Sequence, residues 1–179
     1  YFEHLLKTYG DNHDRKTQVE TFDSISARRV IVANKKLYVN RDEGFIGFAL
    51  KNSEFVSKCS EIDNVIIFLK NGSYLITKVE DKKYVGENIL HVGLWKKNDI
   101  HMIYNLAYKD LVLGTSYVKR FSVTKIVKDK IYQISKNKSK IIYLTANPNS
   151  ESEIVDIFLH HKSKAKKKSF NYDFSDLSI

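Results

Sequence analysis

Four hairpin-like segments recur along the chain at nearly even spacing, and that spacing constrains the fold more than any other feature. The first joins Val30-Ile31-Val32-Ala33 to Leu37-Tyr38-Val39 through the polar turn Asn34-Lys35-Lys36. The second runs Val65–Leu69, turns at Lys70-Asn71-Gly72 and returns through Tyr74–Val79. Asn-Gly between apolar flanks is a strong hairpin signal. The third pairs Met102–Tyr108 with Tyr117–Val123, and the fourth pairs Ile141-Ile142-Tyr143-Leu144 with Ile154–Leu159. Their starts, near 30, 65, 102 and 141, are 35, 37 and 39 residues apart. Strands repeating at a period of about 40 residues are the pattern of a propeller-like array. One blade is too small to bury its own apolar face, so neighbours must stack. The expected fold class is all-β: about four hairpin-containing blades, with Val65, Ile67, Leu69, Ile142 and Leu144 facing inward at alternate positions.

Composition supports strands. There are 11 Tyr and 10 Phe against 7 Gly and one Pro, and aromatic residues fit pleated, half-buried surfaces. No apolar run approaches the ~18 residues of a membrane span, and no secretory signal is visible. No membrane association is expected. Cys59 is the single cysteine, so an internal disulfide is excluded and a reducing cytoplasm is the natural setting.

The first residues differ from the rest. Phe2, Leu5, Leu6 and Tyr9 share one helical face, and Gly10 is a suitable stop. Residues 11–20 are polar. Residues 1–26 therefore read as the end of an upstream helix with a linker, and 27–179 as the β domain. Arg41–Gly47 reads as a loop, and Phe170, Tyr172 and Phe174 alternate with polar residues as a closing strand. A chain that opens inside a helical pattern and ends just after a strand is expected to be a piece of a longer protein with an incomplete array.

Charge is one-sided. Residues 1–90 hold 14 Lys and Arg against 13 Asp and Glu, whereas residues 91–179 hold 16 against 8. A basic half points to a polyanion such as nucleic acid, against the plainer reading of a lysine-rich solvated surface. The candidate DNA-binding residues are Lys35, Lys36, Lys78, Lys96, Lys97, Lys119, Arg120, Lys125, Lys138 and Lys140, most of them at turns or strand ends. Spaced cations there can follow a phosphate backbone without reading bases. Tyr104, Tyr108, Tyr117 and Phe121 could stack on bases, but their strand alternation fits core packing better.

Catalytic chemistry finds little support. His91, His101, His160 and His161 lack metal-site spacing, and two adjacent histidines in a strand face opposite ways. No nucleophile elbow and no phosphate-binding loop occurs. No metal site is expected, and nothing in the sequence points to a catalytic acid cluster. The rivals to DNA binding are a propeller-like protein-interaction module with incidental charge and a self-contained nuclease.

The repeats resemble the C-terminal β-pinwheel of the A subunits of bacterial type IIA DNA topoisomerases, that is, topoisomerase IV and gyrase. Asn64–Val79 is similar to that family's second hairpin, and Ser116-Tyr117-Val118-Lys119-Arg120-Phe121 looks like its Gly-Tyr-apolar-Lys-Arg-apolar return strand. The resemblance covers nearly the whole chain. Gyrase carries a Gln-Arg-Arg-Gly-Gly-Lys-Gly box on its first blade. Here Arg41-Asp42-Glu43-Gly44-Phe45-Ile46-Gly47 holds that place, with both outer glycines kept and the box's cations gone. This degenerate box favours topoisomerase IV and speaks against gyrase-type wrapping. The family's catalytic tyrosine directly follows an arginine in an upstream domain, and no Arg-Tyr pair occurs here. The resemblance thus implies a non-catalytic module of a topoisomerase IV A subunit, cytoplasmic and nucleoid-associated. It would bind and bend double-stranded DNA with little sequence preference and guide it for ATP-dependent strand passage. Its implied partners are the rest of the A subunit and the ATPase B subunit, which would supply the ATP and Mg²⁺ sites.

Overall fold

A computed structural model describes residues 1–9, 34–134 and 138–179. The chain divides into two units, 1–32 and 33–179. In the first, α1 (Phe2–Tyr9) forms where the apolar spacing places it. The expected strand at Val30–Ala33 and the 26/27 boundary lie outside the described residues.

The second unit is an all-β array of four antiparallel sheets. Sheet one has the order β3 (Glu54–Cys59), β1 (Lys35–Asn40), β2 (Phe45–Gly47), β6 (Lys83–Tyr84). Sheet two is β10 (Ile131–Gln133), β5 (Ser73–Lys78), β4 (Asn64–Leu69), β7 (Ile89–Trp95). Sheet three is β11 (Ser139–Asn147), β8 (Ile103–Asp110), β9 (Ser116–Ser122). Sheet four pairs β12 (Ile154–Phe158) with β13 (Ser169–Asp173).

One topological rule repeats. A central hairpin founds each of the first three sheets: β1–β2, β4–β5 and β8–β9. The chain leaving the second hairpin lends a short strand, β6, to the sheet before it, then returns as β7 beside its own first strand. The third hairpin does the same with β10 and β11. The residue just after the return strand of the second, third and fourth hairpins is buried: Val79, Val123 and Phe174.

Stacking supplies the core. β4 is buried along its whole length. Val65, Ile67 and Leu69 pack with Leu37, Val39 and Ile46 of sheet one. Ile66 and Phe68 point the other way and pack with Tyr104 and Trp95. Period-two alternation thus serves two neighbours at once. Trp95 Nε1 donates to the Val123 carbonyl at 2.6 Å, which gives the buried indole its partner and ties sheet two to sheet three.

Four expectations need correction. Lys35 and Lys36 do not belong to a turn: they open β1, whose hairpin partner is β2. Arg41–Gly47 is not one loop: Phe45–Gly47 forms β2, and only 41–44 turn. Ile141–Leu144 does not open a fourth hairpin, because β11 closes sheet three against β8 and the fourth hairpin is β12–β13. The connection between them, with Pro148 and with Asn149 and Ser150 at φ of 61° and 60°, turns the chain out of the sheet instead of reversing it within. Finally, Ile141 is buried and Leu144 is half-buried, but Ile142 is 63% exposed. A register shift between Ile141 and Tyr143 leaves Ile142 as the extra residue of a bulge, flipped outward.

Candidate nucleic-acid interface

Strand register sorts the basic residues into three groups. The first lies where the hairpins begin. Lys35 and Lys36 start β1, Lys78 ends β5 opposite Asn64, and Lys96 and Lys97 follow Trp95, which also pairs with Asn64. Lys125 joins them just past β9. Lys97 and Lys125 flank a shallow groove of about 570 Å³ with Tyr132 at its side. This end is electrically mixed. Lys35 pairs with Glu61 at 2.5 Å, Lys83 reaches Glu80 and Asp129 at 2.9 and 3.1 Å, and Asp63, Asp81 and Asp99 lie in the same connections.

The second group is tied down in mid-strand. Lys119 Nζ donates to the Ile134 carbonyl at 2.6 Å and sits 5.5 Å from the Tyr108 ring centre. Arg120 Nη2 donates to the Ser150 carbonyl at 3.1 Å. Both act as braces of sheet three. Neither is presented as a free cation, although the Lys-Arg pair belongs to the candidate set read from the sequence.

The third group occupies the turn end. Backbone bonds join the turns of the first three sheets into one row: Ile89 N–H to Arg41 O, Lys70 N–H to Asn88 O, Ile141 N–H to Lys70 O, and Leu111 N–H to Lys138 O. Along that row the charge changes sign. Sheet one presents Asp42 and Glu43, both exposed. Sheet two presents Lys70. Sheet three presents Lys138 just before β11, Lys140 on β11 and Lys109 on β8, with Lys140 directly opposite Lys109. In sheet four the equivalent turn is the segment 159–168, with five lysines. Lys70, Lys109, Lys138 and Lys140 are exposed and make no ion pair among the described residues. Only Lys138 and Lys140 of this end belong to the candidate set. Lys70 and Lys109 escape sequence reasoning because nothing local marks them; Lys109 meets Lys140 through the register, and Lys70 meets them because the turns of two sheets are bonded.

The degenerate box is a structural device here. Arg41 forms a two-pronged ion pair with Glu54, at 2.7 and 3.0 Å, and donates to the Leu90 carbonyl at 2.6 Å. Its guanidinium holds the Glu54 carboxyl below its ordinary range. Ile46 is fully buried in the core, and Phe45 rests against Tyr84 of β6. Gly44 and Gly47 meet the backbone of 80–87: a Cβ on Gly44 would stand 2.5 Å from Gly86 C, and one on Gly47 2.2 Å from Asp81 O.

A second network braces sheets three and four. The Glu153 carboxylate accepts from Thr145 Oγ1, from Asn105 Nδ2 at 2.8 Å, from Tyr143 Oη at 3.0 Å and from Asn147 Nδ2 at 3.3 Å. Burial pushes its pKa up, but these four donors outweigh burial and leave it below the ordinary 4.5. A carboxylate with a lowered folded pKa stabilises the fold above its unfolded pKa, and that stability is lost as pH falls through the folded value. Glu153→Gln should therefore lower the melting temperature at neutral pH. Its deficit against the unaltered chain should shrink in thermal melts below about pH 4.5. A deficit that is constant down to pH 3 would remove the carboxylate from this role.

Among the described residues, no group of three His, Cys, Asp or Glu side chains is placed to hold a metal ion, and no helix is long and apolar enough to cross a membrane.

Residues 36–179 match the family model of the topoisomerase C-terminal domain of Bacteroidota. The chain is also 29% identical over 149 residues to the A subunit of DNA topoisomerase 4 from Borreliella burgdorferi. That match covers 83% of this chain and 24% of the relative, so the chain spans about a quarter of that protein's length. No solved structure matches the chain at a significant level.

Proposed function

Since the chain belongs to the topoisomerase C-terminal domain family, as the C-terminal region of a type IIA topoisomerase's A subunit, we propose that it is a non-catalytic module that binds and bends duplex DNA. In this reading it guides a duplex for ATP-dependent strand passage by a topoisomerase IV-type enzyme. The rest of the A subunit and the ATPase B subunit would be its partners, with ATP and Mg²⁺ bound outside this chain.

The observation that carries the proposal is the turn end of sheets two to four. Its described lysines are exposed and make no ion pair among the described residues, with Glu87 lining the same groove as Lys70 and Lys140 and Lys168 donating to the His161 carbonyl, while those at the opposite end stand among several carboxylates. Phosphate contacts of this kind supply affinity without sequence information. Lys36, Lys78, Lys96, Lys97 and Lys125 form the alternative path, and Lys35, Lys119 and Arg120 serve the fold first. The test is a titration of the chain with random-sequence duplex at several salt concentrations. Affinity should fall linearly on a log–log plot, with a slope of roughly −0.9 per phosphate contacted. A flat response would leave the protein-interaction reading in possession, and Mg²⁺-dependent nicking of plasmid would favour a nuclease.

The acidic turn of sheet one sets a limit to the DNA path. Asp42 and Glu43 repel phosphate where the gyrase box has arginines, so the duplex should bend without closing a stable wrap. A plasmid religated in the presence of the chain should change little in linking number. Asp42→Arg with Glu43→Arg should shift it measurably in one direction. Ile46 cannot take part in such a restoration, because a lysine there would enter the core.

A further inference from the structure

The turn between β8 and β9 breaks the surface pattern of its neighbours. Leu111, Val112 and Leu113 follow one another and are 57%, 70% and 65% exposed. Three consecutive exposed aliphatic side chains are costly on a folded surface, and they mark a contact site when the backbone holds them there. The backbone does hold them. The Asp110 carboxylate accepts from the N–H groups of Val112 and Leu113 at 2.7 and 3.0 Å. Gly114 N–H closes the turn on Asp110 O at 2.9 Å, and Asp110 N–H donates to Thr115 O at 2.9 Å. Gly114 takes φ +72°, and a Cβ there would have nothing within 4 Å, so the turn stands out into open space. The corresponding turns of the first two sheets, Arg41–Gly44 and Lys70–Gly72, are polar.

The flanks decide what covers this tip. Lys109 and Lys140 face each other beside it, and Lys138 bonds to its first residue through the backbone. A second copy docked tip to tip would bring like charges together. The fitting partner is anionic at its edges and apolar at its centre. A duplex opened at one base step has that form: base faces between two phosphate chains.

We propose that Leu111-Val112-Leu113 is a wedge that enters a base step of bound duplex DNA while Lys109, Lys138 and Lys140 hold the flanking phosphates. This rests on the DNA-binding reading above and supplies the means of bending. Wedges of this type kink a duplex by roughly 20–90°.

The test uses the full chain and an end-labelled duplex of about 30 base pairs, read by energy transfer between the ends. The unaltered chain should raise the transfer. The variant Leu111→Ser, Val112→Ser, Leu113→Ser should lose most of that rise and keep the salt slope, whereas the same three positions changed to Met should keep both. In the unaltered chain, 2-aminopurine placed through one strand should brighten on binding as stacking is broken. A serine variant that bends as well as the unaltered chain, or no brightening, overturns the wedge and leaves DNA binding standing. A serine variant that sheds its salt slope also overturns it, because the tip would then only prop the lysines. An unaltered chain that does not bind duplex at all overturns both readings.

Discussion

Gly47→Ala should destabilise the β domain by about 3 kcal/mol or more, and lower its melting temperature by about 6–12 °C. The added methyl would stand 2.2 Å from Asp81 O and 2.9 Å from Glu80 O. Those atoms are backbone, and both carbonyls accept hydrogen bonds, Glu80 O from Phe48 N–H at 3.2 Å and Asp81 O from Ala49 N–H at 3.0 Å. Relief therefore requires the lent strand β6 to move away from β2, which exposes Val85 and Leu37 together with their neighbours. Gly44→Ala should behave alike for two reasons, a φ of +76° and a contact of 2.5 Å with Gly86. A left-handed non-glycine residue alone costs about 1–3 kcal/mol. Against a total stability of about 5–15 kcal/mol, the double variant should be largely unfolded at 37 °C by circular dichroism. Gly114→Ala, with open space around it, is the control and should cost only the strain of its backbone angle. Equal melting temperatures for all three variants would show that the glycines of the box do not seat β6.

Reversing Lys109, Lys138 and Lys140 to Glu should reduce affinity for duplex DNA by roughly a hundredfold or more at 0.1 M salt, and flatten the log–log salt slope by about 3. Three released counterions account for that slope, and the new carboxylates add repulsion. The matched variant Lys96→Glu, Lys97→Glu, Lys125→Glu carries the same change in charge. It should lose much less, because Asp99 shares the connection of Lys96 and Lys97 and Asp129 that of Lys125. All six side chains are exposed, so neither variant should unfold the chain. Equal losses would mean that net charge alone attracts the duplex, with no preferred path.

The second and third hairpins are legible in the sequence because each has an apolar run, a turn and a return strand of matching length. Asn71-Gly72 fixes the second almost unaided. What local pattern cannot show is strand lending. Lys83-Tyr84 and Ile131–Gln133 are two and three residues long, too short for any periodicity, and their partners lie about 40 residues or more back in the chain. β2 hides for the same reason. β11 misleads in the opposite sense: its apolar run is clear, but counting it as a new unit treats Pro148 as a hairpin turn. The bulge at Ile142 is likewise invisible, since one extra residue changes no composition. For the interface, the sequence shows which residues are cations but not which are free. Lys119 and Arg120 are taken by carbonyl groups, and Lys70 approaches Lys140 only because the turns of two sheets meet.

Lending strands also determines how the domain would bear load. Were the sheets joined by side chains alone, tension on one would peel it from the next, contact by contact. Here, tension on the segment between β9 and β11 is carried by β10 into the hydrogen bonds of β5, and tension between β5 and β7 is carried by β6 into those of β2. If the proposed DNA binding holds, a tug on a duplex at sheet three would thus be resisted first by the backbone rungs of sheet two and, through the strand that sheet two's chain lends, by those of sheet one.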